Sequence, residues 1–218
     1  MAACVVKTSC FPGLHLQKKN VIHFLCCAMA SASGTAGHWS KGLLASMNDP
    51  EAVIDADEDL VTIKDKYPKA KFHFLILPRR KIPNLKSLTR EDLDLLEKMH
   101  QKGEKIANRA NEELQFRFGY HAVPSMSHLH MHVISQDFNS PCLKTKKHWN
   151  SFVTDYFVDS KAVIKSIQKH GQWNVNKEEM DQLLKQDLKC HICKKMFRTI
   201  PELKAHIVFH DVTKPKTR

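Results

Sequence analysis

Residues 128–134, His128-Leu129-His130-Met131-His132-Val133-Ile134, restrict this chain more than any other stretch of it. Polar and apolar residues alternate with a period of two, which predicts a strand, because successive side chains of a strand point to opposite faces. His128, His130 and His132 then form one row, and Leu129, Met131 and Val133 turn towards a core. A row of imidazoles on the wall of a core has few chemical uses. It can hold a metal, or it can handle phosphate through a nucleophilic nitrogen flanked by hydrogen-bond donors.

The stretches upstream indicate what packs around that strand. Leu60–Ile63 and Phe72–Leu77 read as two further strands, separated by the turn-like Asp65-Lys66-Tyr67-Pro68. A helix of about 25 residues follows, with Thr89 as N-cap and Asp92 three positions later. Leu93, Leu96, Met99, Gly103, Ile106 and Ala110 share one of its faces. Phe116–His121 reads as a strand ahead of His128–Ser135. Strand, strand, helix, strand, strand predicts an α+β domain with a mainly antiparallel sheet and flanking helices.

A second constellation lies near the C-terminus. Cys190-x2-Cys193-x12-His206-x3-His210 has Cys2His2 spacing and predicts tetrahedral, structural zinc in a small ββα-like module. Phe197 and Leu203 fit its apolar core, and Pro201 fits the first turn of the helix that should carry both histidines. The seven cysteines are odd in number and scattered, a poor disulfide framework. Charge is also uneven: of a net +11, residues 139–218 hold 16 basic against 8 acidic residues. Such a half suits a polyanion, and Lys194, Lys195, Arg198 and Lys204 are its expected phosphate contacts. No apolar run approaches the ~20 residues of a membrane-spanning helix, so no membrane partner is expected.

The pattern His-φ-His-φ-His-φ-φ, with φ apolar, resembles the signature of the histidine-triad superfamily of nucleotide hydrolases and transferases. Asp65, eight residues before His73 in a strand ending Leu75-Ile76-Leu77-Pro78, looks like that family's ribose-binding aspartate and fourth histidine. Further stretches are similar to a DNA-repair branch of the superfamily that removes AMP from 5′-adenylated DNA ends left by abortive ligation. They are Gly-His-Trp-Ser at 37–40, Lys-Asp-Lys-Tyr-Pro-Lys-Ala at 64–70 and Gly-Tyr-His-Ala-Val-Pro-Ser-Met-Ser-His at 119–128. Ser-Gln-Asp-Phe at 135–138 and Lys-Lys-His-Trp-Asn-Ser-Phe at 146–152 agree. With the finger, the resemblance covers about Gly37 to His210.

The resemblance implies the roles. His130 attacks the AMP phosphorus and carries an adenylyl intermediate, and His132 donates to a non-bridging oxygen. His128 and His73 orient the imidazoles, while His121 assists departure of the DNA phosphate and Ser125 contacts phosphate. Asp65 and Lys69 hold the AMP end, and Trp39 stacks on the exposed base pair. Products are AMP and a 5′-phosphate end, RNA–DNA junctions are further possible substrates, and no catalytic metal is expected. Two other readings stay open: hydrolysis of free nucleotides or AMP conjugates, and a non-catalytic nucleic-acid-binding finger protein.

Five segments are expected: a disordered leader 1–37, a catalytic domain 38–143, a helical DNA-contacting linker 144–185, the finger 186–212 and a basic tail 213–218. Lys18 and Lys19 before the apolar Val21–Ala30 imitate a secretory signal, or a mitochondrial presequence without arginine. A disordered leader in a nuclear protein is the preferred expectation. Full-length vertebrate members of the branch begin with a forkhead-associated domain. Only about 37 residues precede the match here, so scaffold binding through such a domain is not expected.

Overall fold

The computed structural model describes residues 42–215. The leader, Trp39 and residues 216–218 lie outside them. A short helix α1 (Gly42–Ser46) leads into β1 (Val53–Ala56), β2 (Leu60–Lys64) and β3 (His73–Pro78). The long helix α2 spans Leu93–Ala110, and β4 (Phe116–His121) and β5 (Met131–Ser135) follow it. Next come α3 (Lys146–Val153), β6 (Phe157–Asp159), α4 (Ser160–His170) and α5 (Lys177–Leu183). The finger is β7 (Leu188–Lys189), β8 (Met196–Phe197) and α6 (Ile200–Ile207). Among the described residues no helix is long and apolar enough to cross a membrane.

Strands β1-β2-β3-β5-β4-β6 form one six-stranded sheet in that order, antiparallel throughout. This bears out the α+β class read from the pattern. Alternation along the central strands divides the side chains between two layers. Phe74, Ile76, Met131 and Val133 join one core with Leu96, Met99 and Ile106 of α2 and Val163 and Ile167 of α4. Leu75 and Leu77 turn the other way and pack with Leu43, Val61 and Ile63. Ile134 belongs to a third cluster with Phe138, Trp149 and Phe152, and with Leu188, Cys190, Leu203 and Ile207 of the finger. The six-stranded sheet and the finger therefore share one core.

Several expectations change. Thr89 and Asp92 do form a reciprocal capping box, but it opens a 3-10 turn, Arg90–Asp92, ahead of α2. The strand expected from His128 begins at Met131, because His128 adopts φ 79°, a left-handed conformation that breaks the pleat. Strands β1 and β6 carry no strong alternation, and the sequence reading does not contain them. Residues 144–185 do not form a helical linker alone: β6 pairs with β4, so this segment completes the sheet. The finger helix ends at Ile207, and His210 follows in a turn closed by its N–H to the Ile207 carbonyl. Past it, Thr213 bridges Leu114, pinning the start of the basic tail beside β4.

Candidate active site and metal centre

His132 sits at the middle of the sheet, paired with Leu75 on β3 and with Gly119 on β4. Gly119 is required there. A Cβ on it would lie 2.2 Å from the Val158 carbonyl oxygen of β6. Around His132 gather His121, His130 and His73, with ring centroids 4.5, 5.0 and 5.2 Å away. Phe152 of α3 meets three of these rings edge-on, at 5.3 Å from His73, 4.7 Å from His121 and 5.4 Å from His132.

The partners of the rings decide where their protons sit. A carbonyl can only accept, so His130 holds its proton on Nδ1, which donates to the His128 carbonyl at 2.9 Å. Its Nε2 is left with a lone pair. His128 donates from Nε2 to the Pro78 carbonyl at 2.8 Å. A backbone amide can only donate, and the Lys69 N–H reaches Nδ1 of His73 at 3.2 Å. The His73 proton is then on Nε2, which donates to Nδ1 of His132 at 2.9 Å. This relay leaves the His132 proton on Nε2, a buried donor with no partner among the described residues. One ring thus presents a nucleophilic lone pair and its neighbour presents an unused N–H.

Burial keeps the cluster neutral. It lowers His73 to about 4 and His121 to about 3, and pulls His132 well below and His130 below the ordinary imidazole value. The Lys69 ammonium adds to the effect on His73, His121 and His132. His121 also bonds the Ser151 backbone, and its buried Nε2 has no partner among the described residues.

The remaining sequence candidates divide. Asp65 is drawn to this cluster: its Oδ2 lies 3.5 Å from His73 Nδ1 and its Oδ1 accepts from the Tyr67 amide at 2.7 Å. Lys69 donates from Nζ to the Tyr67 carbonyl. Ser125 is exposed on the loop between β4 and His128. In the finger, Lys204 donates to the Ser140 carbonyl at 2.7 Å and Lys194 to that of His191 at 2.7 Å. Their ammonium groups thus tie the finger to itself and to the loop after β5. Lys195 lies 5.7 Å over the Phe197 ring, and Arg198 is exposed beside it. Phe152, Ser151 and Tyr156 were not read as site residues. The sequence signals are the resemblance of residues 146–152, which include Ser151 and Phe152, and the apolar spacing of Trp149 and Phe152.

Cys190, Cys193, His206 and His210 bring one ligand atom each to within 4.8 Å of one another. Cys190 Sγ lies 3.3 Å from His210 Nε2, and Cys193 Sγ lies 3.1 Å from His206 Nε2. Two sulfurs and two imidazole nitrogens at these separations fit tetrahedral zinc, and four protein ligands close the site. Asp65, His73 and His132 also converge within 4.8 Å.

Comparison with known proteins agrees with this geometry. The family model described as "Scavenger mRNA decapping enzyme C-term binding" matches residues 38–148. That described as "C2HE / C2H2 / C2HC zinc-binding finger" matches residues 153–210. Aprataxin from Gallus gallus is 56% identical over 176 residues, covering 80% of this chain and 55% of that protein. An aprataxin-like protein from Saccharomyces cerevisiae is 30% identical over 196 residues, covering 73% of this chain and 89% of that protein. The crystal structure of aprataxin ortholog Hnt3 in complex with DNA superposes with a TM-score of 0.63 at 27% identity. It covers 76% of this chain and 89% of that one. The chain spans about half the length of the vertebrate relative it matches.

Proposed function

This chain belongs to the aprataxin family of histidine-triad proteins, and from that premise we propose that it removes AMP from 5′-adenylated DNA ends. The observation that carries the proposal is a pair of adjacent rings, centroids 5.0 Å apart, with a bare Nε2 on His130 and, on His132, an Nε2–H without a partner among the described residues. His130 Nε2 forms a bond to the AMP phosphorus while the bond from that phosphorus to the strand's 5′-phosphate oxygen breaks. The positive charge that His130 acquires is held by its Nδ1–H bond to the His128 carbonyl. His132 donates to the non-bridging oxygen, where negative charge grows. His121 stands over the leaving phosphate, and the charge of bound substrate raises its affinity for a proton. Water then cleaves the adenylyl-histidine, releasing AMP. Asp65 and Lys69 hold the AMP end, and Ser125 and Trp39 meet the strand.

Zinc held by Cys190, Cys193, His206 and His210 supplies the fold of the finger and no chemical step. The positions from which such a helix reads bases fall on Thr199, Glu202 and Ala205. Thr199 is committed as the N-cap, Glu202 Oε2 already accepts the Arg198 amide at 3.3 Å, and Ala205 offers no hydrogen bond. The finger therefore suits a grip on duplex without regard to sequence, with Lys194, Lys195, Arg198 and Lys204 as its phosphate contacts. Broken or nicked ends in the nucleus are the proposed substrates, RNA–DNA junctions included.

The test compares kcat/KM for a 5′-adenylated nicked duplex with that for adenosine 5′-phosphoramidate. The duplex should be preferred roughly tenfold or more, each tenfold being about 1.4 kcal/mol of extra transition-state binding. Equal efficiency would make this a hydrolase of small AMP conjugates.

A further inference from the structure

Two lysine-rich segments far apart in sequence meet beside the histidines. Lys64 ends β2 and the β2–β3 loop carries Lys66, Lys69 and Lys71, while Lys144 stands just before α3 and Lys146 and Lys147 open it. Ser140 Oγ donates to the Pro68 carbonyl, and the Lys71 amide donates to Asp137 Oδ2 at 3.1 Å. Lys204 ties Ser140 to the finger. These bonds hold like charges together against their repulsion. Between the segments opens a cleft of about 310 Å³, lined by Tyr67, Lys69, Cys142, Lys144 and His148, with no carboxylate on its walls.

His148 is oriented by the same logic as His73. Its Nδ1 accepts the Lys144 amide at 3.3 Å, so the neutral ring offers Nε2–H as a donor. Burial and then Lys69, Lys147 and Lys144 lower its pKa, which places their charges around it. Lys69 links this cleft to the triad, since its amide sets His73 and its charge reaches His121 and His132.

We propose that this cleft seats the sugar–phosphate backbone of the nucleic-acid strand as it leaves the histidine site, with Lys144 and His148 contacting phosphates. The inference rests on the proposed function and deepens it, by naming where the strand runs. A fixed, one-sign cleft beside a phosphoryl-transfer site is stabilised when phosphates enter it and counterions leave.

The experiment measures binding of an unadenylated nicked duplex against salt concentration for the wild type, Lys144→Ala, Lys144→Glu, His148→Leu and His148→Gln. Turnover of adenosine 5′-phosphoramidate is followed in parallel. Lys144→Ala should weaken duplex binding about three- to tenfold at low salt and flatten the log–log salt slope by about 0.9. Lys144→Glu should weaken it further, and His148→Gln, which keeps an N–H donor, should bind better than His148→Leu. Small-substrate turnover should stay within about twofold of wild type in both Lys144 variants. Unchanged duplex affinity and slope in both Lys144 variants overturns the inference. An equal loss on the phosphoramidate also overturns it, assigning the cleft to AMP or to the fold. Failure of the wild type to release AMP from DNA would defeat the proposed function alone, since duplex binding is read separately.

Discussion

At the scale of residues, the site depends on where protons sit, and that is settled by groups that can only donate or only accept. The His128 carbonyl gives His130 its free Nε2, and the Lys69 amide gives His132 its free N–H through His73. Burial then keeps these rings uncharged, which a nucleophilic nitrogen requires. The same burial has a consequence for stability. Below about pH 6.5 an unfolded chain takes up protons at these histidines, while the folded rings refuse them down to values near 4 for His73 and 3 for His121. Stability should fall as pH drops through this window, by up to about 1.4 kcal/mol per pH unit for each such ring. Urea midpoints at pH 7 and pH 5 test this, and an equal or higher midpoint at pH 5 contradicts the buried neutral cluster.

At the scale of elements, the histidine strand was legible because a period of two survives as far as Met131. It was not legible that His128 leaves the strand, since a left-handed residue held by backbone bonds looks the same in sequence. The zinc ligands were legible from spacing alone. Strand β6 was not, because three residues of Phe157–Asp159 carry too little pattern and are recruited by pairing with β4. That pairing depends on Gly119, which lies between His132 and Asp159 in register. Gly119→Ala would drive a methyl group into the Val158 carbonyl and the Phe157 ring. It should cost about 1–3 kcal/mol or more and disturb the rings packed around His132. Denaturation midpoints with phosphoramidate turnover check this; a variant with wild-type stability and rate would show that β6 does not hold the site.

At the scale of the whole molecule, finger and catalytic sheet are one body. The lysines Lys194 and Lys204, read from sequence as phosphate contacts, each donate one N–H to a backbone carbonyl, and charge counting cannot see such partners. Trp149 Nε1 donates to the Lys189 carbonyl at 2.9 Å, His191 bonds the Gln136 carbonyl at 2.9 Å, and Phe152 lies in the core that contains Cys190 and Leu203. Zinc removal should therefore lower thermal stability and impair turnover of adenosine 5′-phosphoramidate, a substrate too small to touch the finger. Restoring zinc should recover both. If chelation weakens only the reaction on duplex, the finger is an independent grip and the shared core does not support the histidines.

The central claim is the covalent step on one ring. Single-turnover reaction with a 5′-adenylated nicked duplex, quenched in alkali to preserve a phosphoramidate and followed by peptide mapping, measures it most directly. An AMP mass on His130 should form and decay with AMP release, and His130→Ala should show neither the adduct nor deadenylation. An adduct on another residue, or wild-type release of AMP by His130→Ala, would contradict it.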